Sequence, residues 1–194
     1  MASARLRVLY LTTDSALYGT ERVILSLLQT LPRDRFDLHL ATLKGPGDLV
    51  REAQTLGIPS VNFALTRKTD PAILWRLFRH IRQVRPDILC AYLWHAFLLA
   101  RTVGVLARVP VIITAQEGID HWRRWPHNLL DRLTSPAARL ILANSQAVKV
   151  QLIANTGIPA GKIQVIHNGI DLARFAALRA QPRAPLSRHQ AVLE

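Results

Sequence analysis

Residues 5–23 read RLRVLYLTTDSALYGTERV. Val8 to Leu11 form a continuous apolar run closed by Thr12, Thr13 and Asp14, the pattern of a strand buried on both faces. A loop follows whose only glycine is Gly19. Beyond it Val23, Ile24, Leu27, Leu28 and Leu31 recur at helical spacing. A strand that passes through a glycine-bearing loop into a helix points unpaired N–H groups and a positive dipole end into the crevice above the sheet, where anions bind. The three glycines of a dinucleotide fingerprint and the Gly-Lys-Ser/Thr of a P-loop are both missing, so a plain strand-to-helix turn stays open beside an anion loop.

Outward from this stretch, apolar runs and helical patterns alternate. Phe36, Leu38, Leu40 and Leu43 mark a second strand, and Asp48 opens a helix stopped by Gly57 and Pro59. A third strand covers 60–63. Asp70 and Pro71 start a helix whose buried face is Ile73, Leu74, Leu77, Phe78, Ile81 and Val84. Further strands fall at 87–92, 111–114, 139–143 and 163–166, with helices at 93–108, after Pro126, and from Asn144-Ser145 to Gly157. Crossovers of this length join parallel strands with right-handed sense. The expected fold is therefore α/β: a parallel, Rossmann-like sheet of about seven strands with helices on both faces. Its ligand crevice lies beyond the strands' C-terminal ends, at 14–20, 93–96, 115–125 and Asn144. Residues 1–175 are expected to form this domain, and 176–194, with Pro182, Pro185 and several arginines, a linker or the start of a further domain.

Composition sets further bounds. A chain of 194 residues can bury roughly 70% of its unfolded surface. With 49% apolar and 20% charged residues it belongs to the globular class. Cys90, the single cysteine, excludes an internal disulfide, and its place after Ile88-Leu89 marks a buried small hydrophobe rather than a nucleophile. The longest apolar stretch, 88–100, falls short of the roughly 20 residues of a spanning helix. A cytoplasmic protein is expected, or one resting on the inner face of a membrane. The formal net charge of +12 favours phosphate-bearing partners, and Arg76, Arg79, His80 and Arg82, with Arg67, Lys68 and Arg85 nearby, make a basic helix that is either a solvated face or a binding surface. No helix-turn-helix, RNP-like or zinc pattern supports a nucleic-acid partner. The seven histidines do not cluster at ligand spacing, so no metal is expected, and there is no Gly-x-Ser-x-Gly elbow.

Several segments together resemble the glycosyltransferase family 4 N-terminal domain, one half of a GT-B fold enzyme. They are Gly19-Thr20-Glu21-Arg22-Val23, Arg85-Pro86-Asp87-Ile88 with Trp94-His95-Ala96, the run from Leu140 to Val148, Ile158-Pro159, and Val165 to Asp171 with Phe175. The resemblance covers about 5–175. It implies the acceptor-side half of a retaining, metal-independent enzyme that moves a sugar from a nucleotide-sugar to a glycan or lipid-linked acceptor. The donor would be held mainly by a C-terminal domain outside this chain, because the family's Glu-x7-Glu pair is missing: eight positions beyond Glu21, Glu52 and Glu117 stand Gln29, Ser60 and Trp125. Such a half is expected not to transfer sugar alone, since donor and acceptor would not be held at reacting distance. The alternative is a non-catalytic acceptor- or anion-binding module that pairs with a separate donor-binding subunit.

The resemblance also assigns residues. Gly19 and Thr20 would face the donor diphosphate, with Tyr18 standing where relatives often carry a second glycine. Glu117, followed by Gly118 where many relatives have histidine and glycine, would orient an acceptor hydroxyl or stabilise positive charge at the anomeric carbon, or simply cap its loop. His95 is a second catalytic candidate, or a packed histidine. Acceptor-side contacts are expected from Asp14, Asp120, Trp122, Arg123, Arg124 and Asn144, with Asp120 also shaping its loop and Asn144-Ser145 capping a helix. Trp122-Arg123-Arg124-Trp125 would rest on an anionic membrane surface or grip a lipid phosphate, unless the tryptophans pack beneath the loop with the arginines in solvent.

Overall fold

The structure, a computed structural model, describes residues 5–66 and 70–169. Arg67 and Lys68 of the basic helix region, and the expected boundary after 175, lie outside the described residues. Seven strands alternate with six α-helices: β1 (Leu6–Thr12), α1 (Gly19–Thr30), β2 (Phe36–Thr42), α2 (Asp48–Thr55), β3 (Ser60–Asn62), α3 (Ala72–Val84), β4 (Ile88–Tyr92), α4 (Trp94–Leu106), β5 (Val111–Gln116), α5 (Trp125–Thr134), β6 (Leu140–Ala143), α6 (Gln146–Thr156) and β7 (Ile163–Val165). The strands form one parallel sheet in the order β3-β2-β1-β4-β5-β6-β7. The α/β, Rossmann-like architecture read from the sequence is the one observed. β1 lies mid-sheet, pairing Leu9 with His39 on one side and Leu89 on the other. The order reverses between β1 and β4, which places the switch-point crevice beside α1 and α4.

Alternation along β1 separates two cores. Val8 and Tyr10 pack with Leu38 and Leu40 under Ile24, Leu28, Leu49 and Val50 of α1 and α2. Leu9 and Leu11 face the other way, against Ile73, Leu77 and Ile81 of α3 and Phe97, Ala100 and Val103 of α4. A third cluster joins α6, through Val148 and Leu152, to Ile141 and Ile163. Burial raises the Cys90 thiol to about 12, so it stays protonated and packs as the sequence suggests.

Local departures from the expected boundaries have identifiable causes. β5 runs on to Gln116 because that residue pairs with Ala143. Asp87 stands just outside β4, where its carboxylate accepts the Arg7 backbone N–H at 2.7 Å. Asp70 accepts the Ala72 N–H at 2.9 Å, the capping role expected of it. His80 leaves the basic face of α3 and turns edge-on to Phe63.

The helix α5 reverses the usual amphipathic order. Its one buried residue is Asp131, while Trp125, Leu129, Leu130 and Leu133 are exposed. Charge anchors it instead. The Asp131 carboxylate pairs with the buried Arg101 guanidinium of α4 and, at 2.9 Å, with Arg123. Arg101 also donates to Thr114 of β5 at 2.7 Å. With both carboxylate oxygens engaged, the pairing offsets the desolvation of three buried charges.

Candidate functional site

Two loops at the strand ends are locked together before any ligand is considered. Asp14 Oδ1 accepts the backbone N–H groups of Ser15 at 2.8 Å and Ala16 at 3.1 Å, and Lys44 lies 3.3 Å from Oδ2. Burial alone would raise the Asp14 carboxyl; the two amides and the Lys44 ammonium outweigh it and hold it below the usual carboxylate range. Ser15 Oγ accepts the Gly47 N–H at 2.8 Å. Gly45 sits at φ +102°, and a Cβ there would meet Asp14 Oδ1 and lie 2.6 Å from Ser15 Oγ, so only glycine lets the strand-end loops of β1 and β2 approach this closely.

Beside them lies a cavity of about 470 Å³. It brings together four residues expected from sequence, Asp14, Gly19, Thr20 and Glu117, and adds Tyr18, Glu21, Leu93 and Asn168. Tyr18 precedes α1 without capping it by its side chain, so the first amides of α1 open toward the cavity. A Cβ at Gly19 would meet no protein atom within 4 Å, so the fold itself does not require glycine there. Leu93, between β4 and α4, holds φ 70° and ψ 148°, a strained backbone for leucine on the cavity wall.

Glu117 is held at both its side chain and its backbone. Asn168 Nδ2 donates to its Oε2 at 2.7 Å, Asn144 Nδ2 donates to its backbone carbonyl at 2.6 Å, and His167 Nδ1 lies 3.0 Å from the Asn144 carbonyl. Burial raises the Glu117 carboxyl above its ordinary range, with Asn168 and Asn144 pulling the other way. Glu21, 2% exposed, is likewise raised by burial, opposed by its own N–H and that of Tyr18. The cavity thus combines helix-end donors with three carboxylates, a set suited to hydroxyl-rich and phosphate-bearing ligands together.

The other expected residues fall elsewhere. His95 does not line this cavity; it borders a neighbouring one of about 410 Å³ with Lys44 and the apolar Leu43, Leu65, Ile73, Leu98 and Leu99. Its ring stacks on Trp122 with centroids 6.2 Å apart, in an aromatic group that includes Trp94 and His127. Asn144 holds Glu117 rather than capping α6; Ser145 Oγ does the capping, accepting the Val148 N–H at 3.2 Å. Arg123 is drawn inward, its side chain 5% exposed, and bonds Asp131, Asp120 at 2.8 Å and Gln116 Oε1 at 2.8 Å. Asp120 shapes the loop through that pair. Of the Trp122–Trp125 segment, Trp122, Arg124 and Trp125 are exposed, so neither sequence-level picture of it holds for all four residues. Asn168 and Glu21 stood inside quoted motifs, but no spacing rule signalled that a side chain 51 positions away would bond Glu117. Among the described residues no three His, Cys, Asp or Glu side chains gather as a metal cluster.

Comparison with known proteins places this geometry in context. A curated relative, the UDP-Gal:alpha-D-GlcNAc-diphosphoundecaprenol alpha-1,3-galactosyltransferase of Escherichia coli, is 22% identical over 187 residues, covering 89% of this chain and 47% of its own length. Among solved structures, Anabaena HepE in complex with UDP superposes with a TM-score of 0.72 at 18% identity, over 87% of this chain and 45% of that one. UDP-GlcNAc 2-epimerase from Neisseria meningitidis, bound to UDP-GlcNAc, gives 0.61 at 16% identity, over 84% and 46%. The chain thus spans about half the length of the relatives it matches. At such identities the structures share the fold, and an epimerase stands among them beside transferases. The family assignment comes from sequence: the Glycosyltransferase Family 4 profile matches residues 18–174, and the chain belongs to that family.

Proposed function

We propose that the chain is the acceptor-side domain of a retaining, nucleotide-sugar-dependent glycosyltransferase acting on a glycan or lipid-linked acceptor. The observation that carries this reading is the Glu117 carboxylate, anchored by Asn168 in the cavity that also receives the N-terminus of α1. In the reaction the bond from the anomeric carbon to the donor diphosphate breaks with its electron pair going to the diphosphate oxygen, a bond to the acceptor oxygen forms, and the hydroxyl proton passes to the departing diphosphate. Glu117 accepts the hydrogen bond of that hydroxyl and, ionised, offsets positive charge at the anomeric carbon. Gly19 and Thr20 present N–H groups to the diphosphate, so a metal is not needed for charge neutralisation. His95 and Lys44 border the path of the acceptor, whose apolar part suits the walls of the neighbouring cavity.

The relatives' length supports a donor-binding half beyond this chain, without which the domain is inactive. The enzyme works as a peripheral protein on the cytoplasmic face of an anionic membrane; no helix among the described residues is long and apolar enough to cross one. Release of free nucleotide from UDP-, GDP- and ADP-sugars tests the reading. Background release by the chain alone, with turnover restored by the downstream half and reduced at least tenfold by Glu117→Gln, is expected. Full turnover by the chain alone would overturn the division of labour.

A further inference from the structure

The solvent side of α3, α4 and α5 is unusual in two respects at once. These helices lie side by side, α4 between the other two, with α3 and α4 covering one face of the sheet. They present Leu74 and Trp75, then Val105 and Leu106, then Trp125, Leu129, Leu130 and Leu133, all exposed. Trp125 is 75% and Leu106 72% exposed. On α5 this is the whole apolar content of the helix turned outward, made possible because Asp131 and Arg101 hold the inner side by charge.

The second respect is charge. The three helices contain a single carboxylate, Asp131, and it is buried. Their exposed ionic groups are Arg76, Arg79, Arg82 and Arg132, flanked by Arg85, Arg108 and Arg124 at the helix ends. An outer surface that joins tryptophan and leucine to arginine, with no exposed acid on its helices, matches a bilayer bearing negative headgroups: the rings and leucines enter the acyl boundary and the guanidiniums meet phosphates. A solvated helix face would interleave acids with its arginines, as the outer side of α2 does with Glu52 beside Arg51.

We infer that the outward face of α3, α4 and α5 is the docking surface of this protein for an anionic phospholipid bilayer. It rests on the membrane reading given above only for the kind of occupant, and adds where contact is made. Since α5 starts from the loop that follows β5 at the crevice end of the sheet, docking sets Trp125 at the membrane on the crevice side, so that a lipid-linked acceptor reaches the site without leaving its leaflet. Leu133 takes the far end of the contact.

Vesicle sedimentation of the 194-residue chain tests this. Binding to vesicles containing phosphatidylglycerol, weaker with added salt and at least about tenfold weaker to pure phosphatidylcholine, is expected. Trp125→Ala with Leu133→Ala should reduce the partition coefficient about tenfold or more, as should Arg79→Glu with Arg82→Glu and Arg132→Glu, while all variants keep the parent's melting temperature. Binding indifferent to both sets of substitutions overturns the inference. So does a concentration-dependent dimer, seen by analytical ultracentrifugation and abolished by Trp125→Ala with Leu133→Ala in a chain that ignores vesicles. Nucleotide release measured in detergent with the downstream half separates the two readings: turnover retained without vesicle binding removes the surface alone, and vesicle binding without turnover removes the transferase.

Discussion

The Asn168 side-chain amide donates to Glu117 Oε2 at 2.7 Å, joining the segment after β7 to the end of β5. The bond is on the exposed rim, so it adds little to stability, under about 1 kcal/mol. Its effect is on orientation. Asn168→Ala should leave the urea midpoint nearly unchanged and lower kcat/KM about tenfold in the reconstituted enzyme, with Asn168→Gln recovering part of the loss. Steady-state kinetics with the downstream half supplied provide the check.

Glu117 also has a pH signature. Its carboxyl is raised in the folded protein, so the folded state holds the proton more tightly than the unfolded chain. Stability from this group is present below the unfolded pKa and is lost as pH rises through the folded one. Glu117→Gln should therefore match the parent in acid and exceed it near neutrality. Urea midpoints across that pH range decide it; a variant less stable at neutrality would mean the carboxylate is favourably held after all.

Two glycines at the site answer to different constraints. At Gly45 the positive φ and the crowding by Asp14 and Ser15 belong to the fold, so Gly45→Ala should destabilise by roughly 2–5 kcal/mol. At Gly19 the space where a Cβ would sit is open, so Gly19→Ala should melt with the parent while nucleotide-sugar binding weakens roughly tenfold. Calorimetric melting paired with titration of UDP separates the two.

Asp131→Ala leaves the buried guanidiniums of Arg101 and Arg123 without their shared carboxylate. A loss of about 3–5 kcal/mol is expected, largely independent of salt. Denaturation at low and high ionic strength measures it, and a loss under about 1 kcal/mol would mean that α5 is held by packing.

Much of this was legible in the chain. β1 and β4 carry continuous apolar runs that read as buried strands, and helix stops such as Gly57 and Gly157 stand where the pattern puts them. The cavity residues Asp14, Gly19, Thr20 and Glu117 followed from topology and resemblance together. What escaped depends on partners far away in sequence. Arg123 looked exposed beside two tryptophans, yet its guanidinium turns inward to Asp131 and Gln116. The leucines of α5 have helical spacing, and spacing alone does not say which side faces the sheet; the Arg101 pair on α4 decides that. Asn144 looked like a cap because it precedes a helix, but Ser145 lies one residue closer to α6 and takes that role.

The strand order carries a consequence for how the chain is made. β1 emerges from the ribosome before β2, which it finds soon, but its other neighbour, β4, pairs Val8 with Ile88, 80 positions later. At a synthesis rate of about 5–20 residues per second, that edge of β1 waits roughly 4–16 s before its partner exists. During this interval a strand whose Leu9 and Leu11 end wholly buried is open to pairing with another nascent chain. Expression temperature and chaperone supply should then govern the yield of soluble protein more strongly than the stability of the finished sheet.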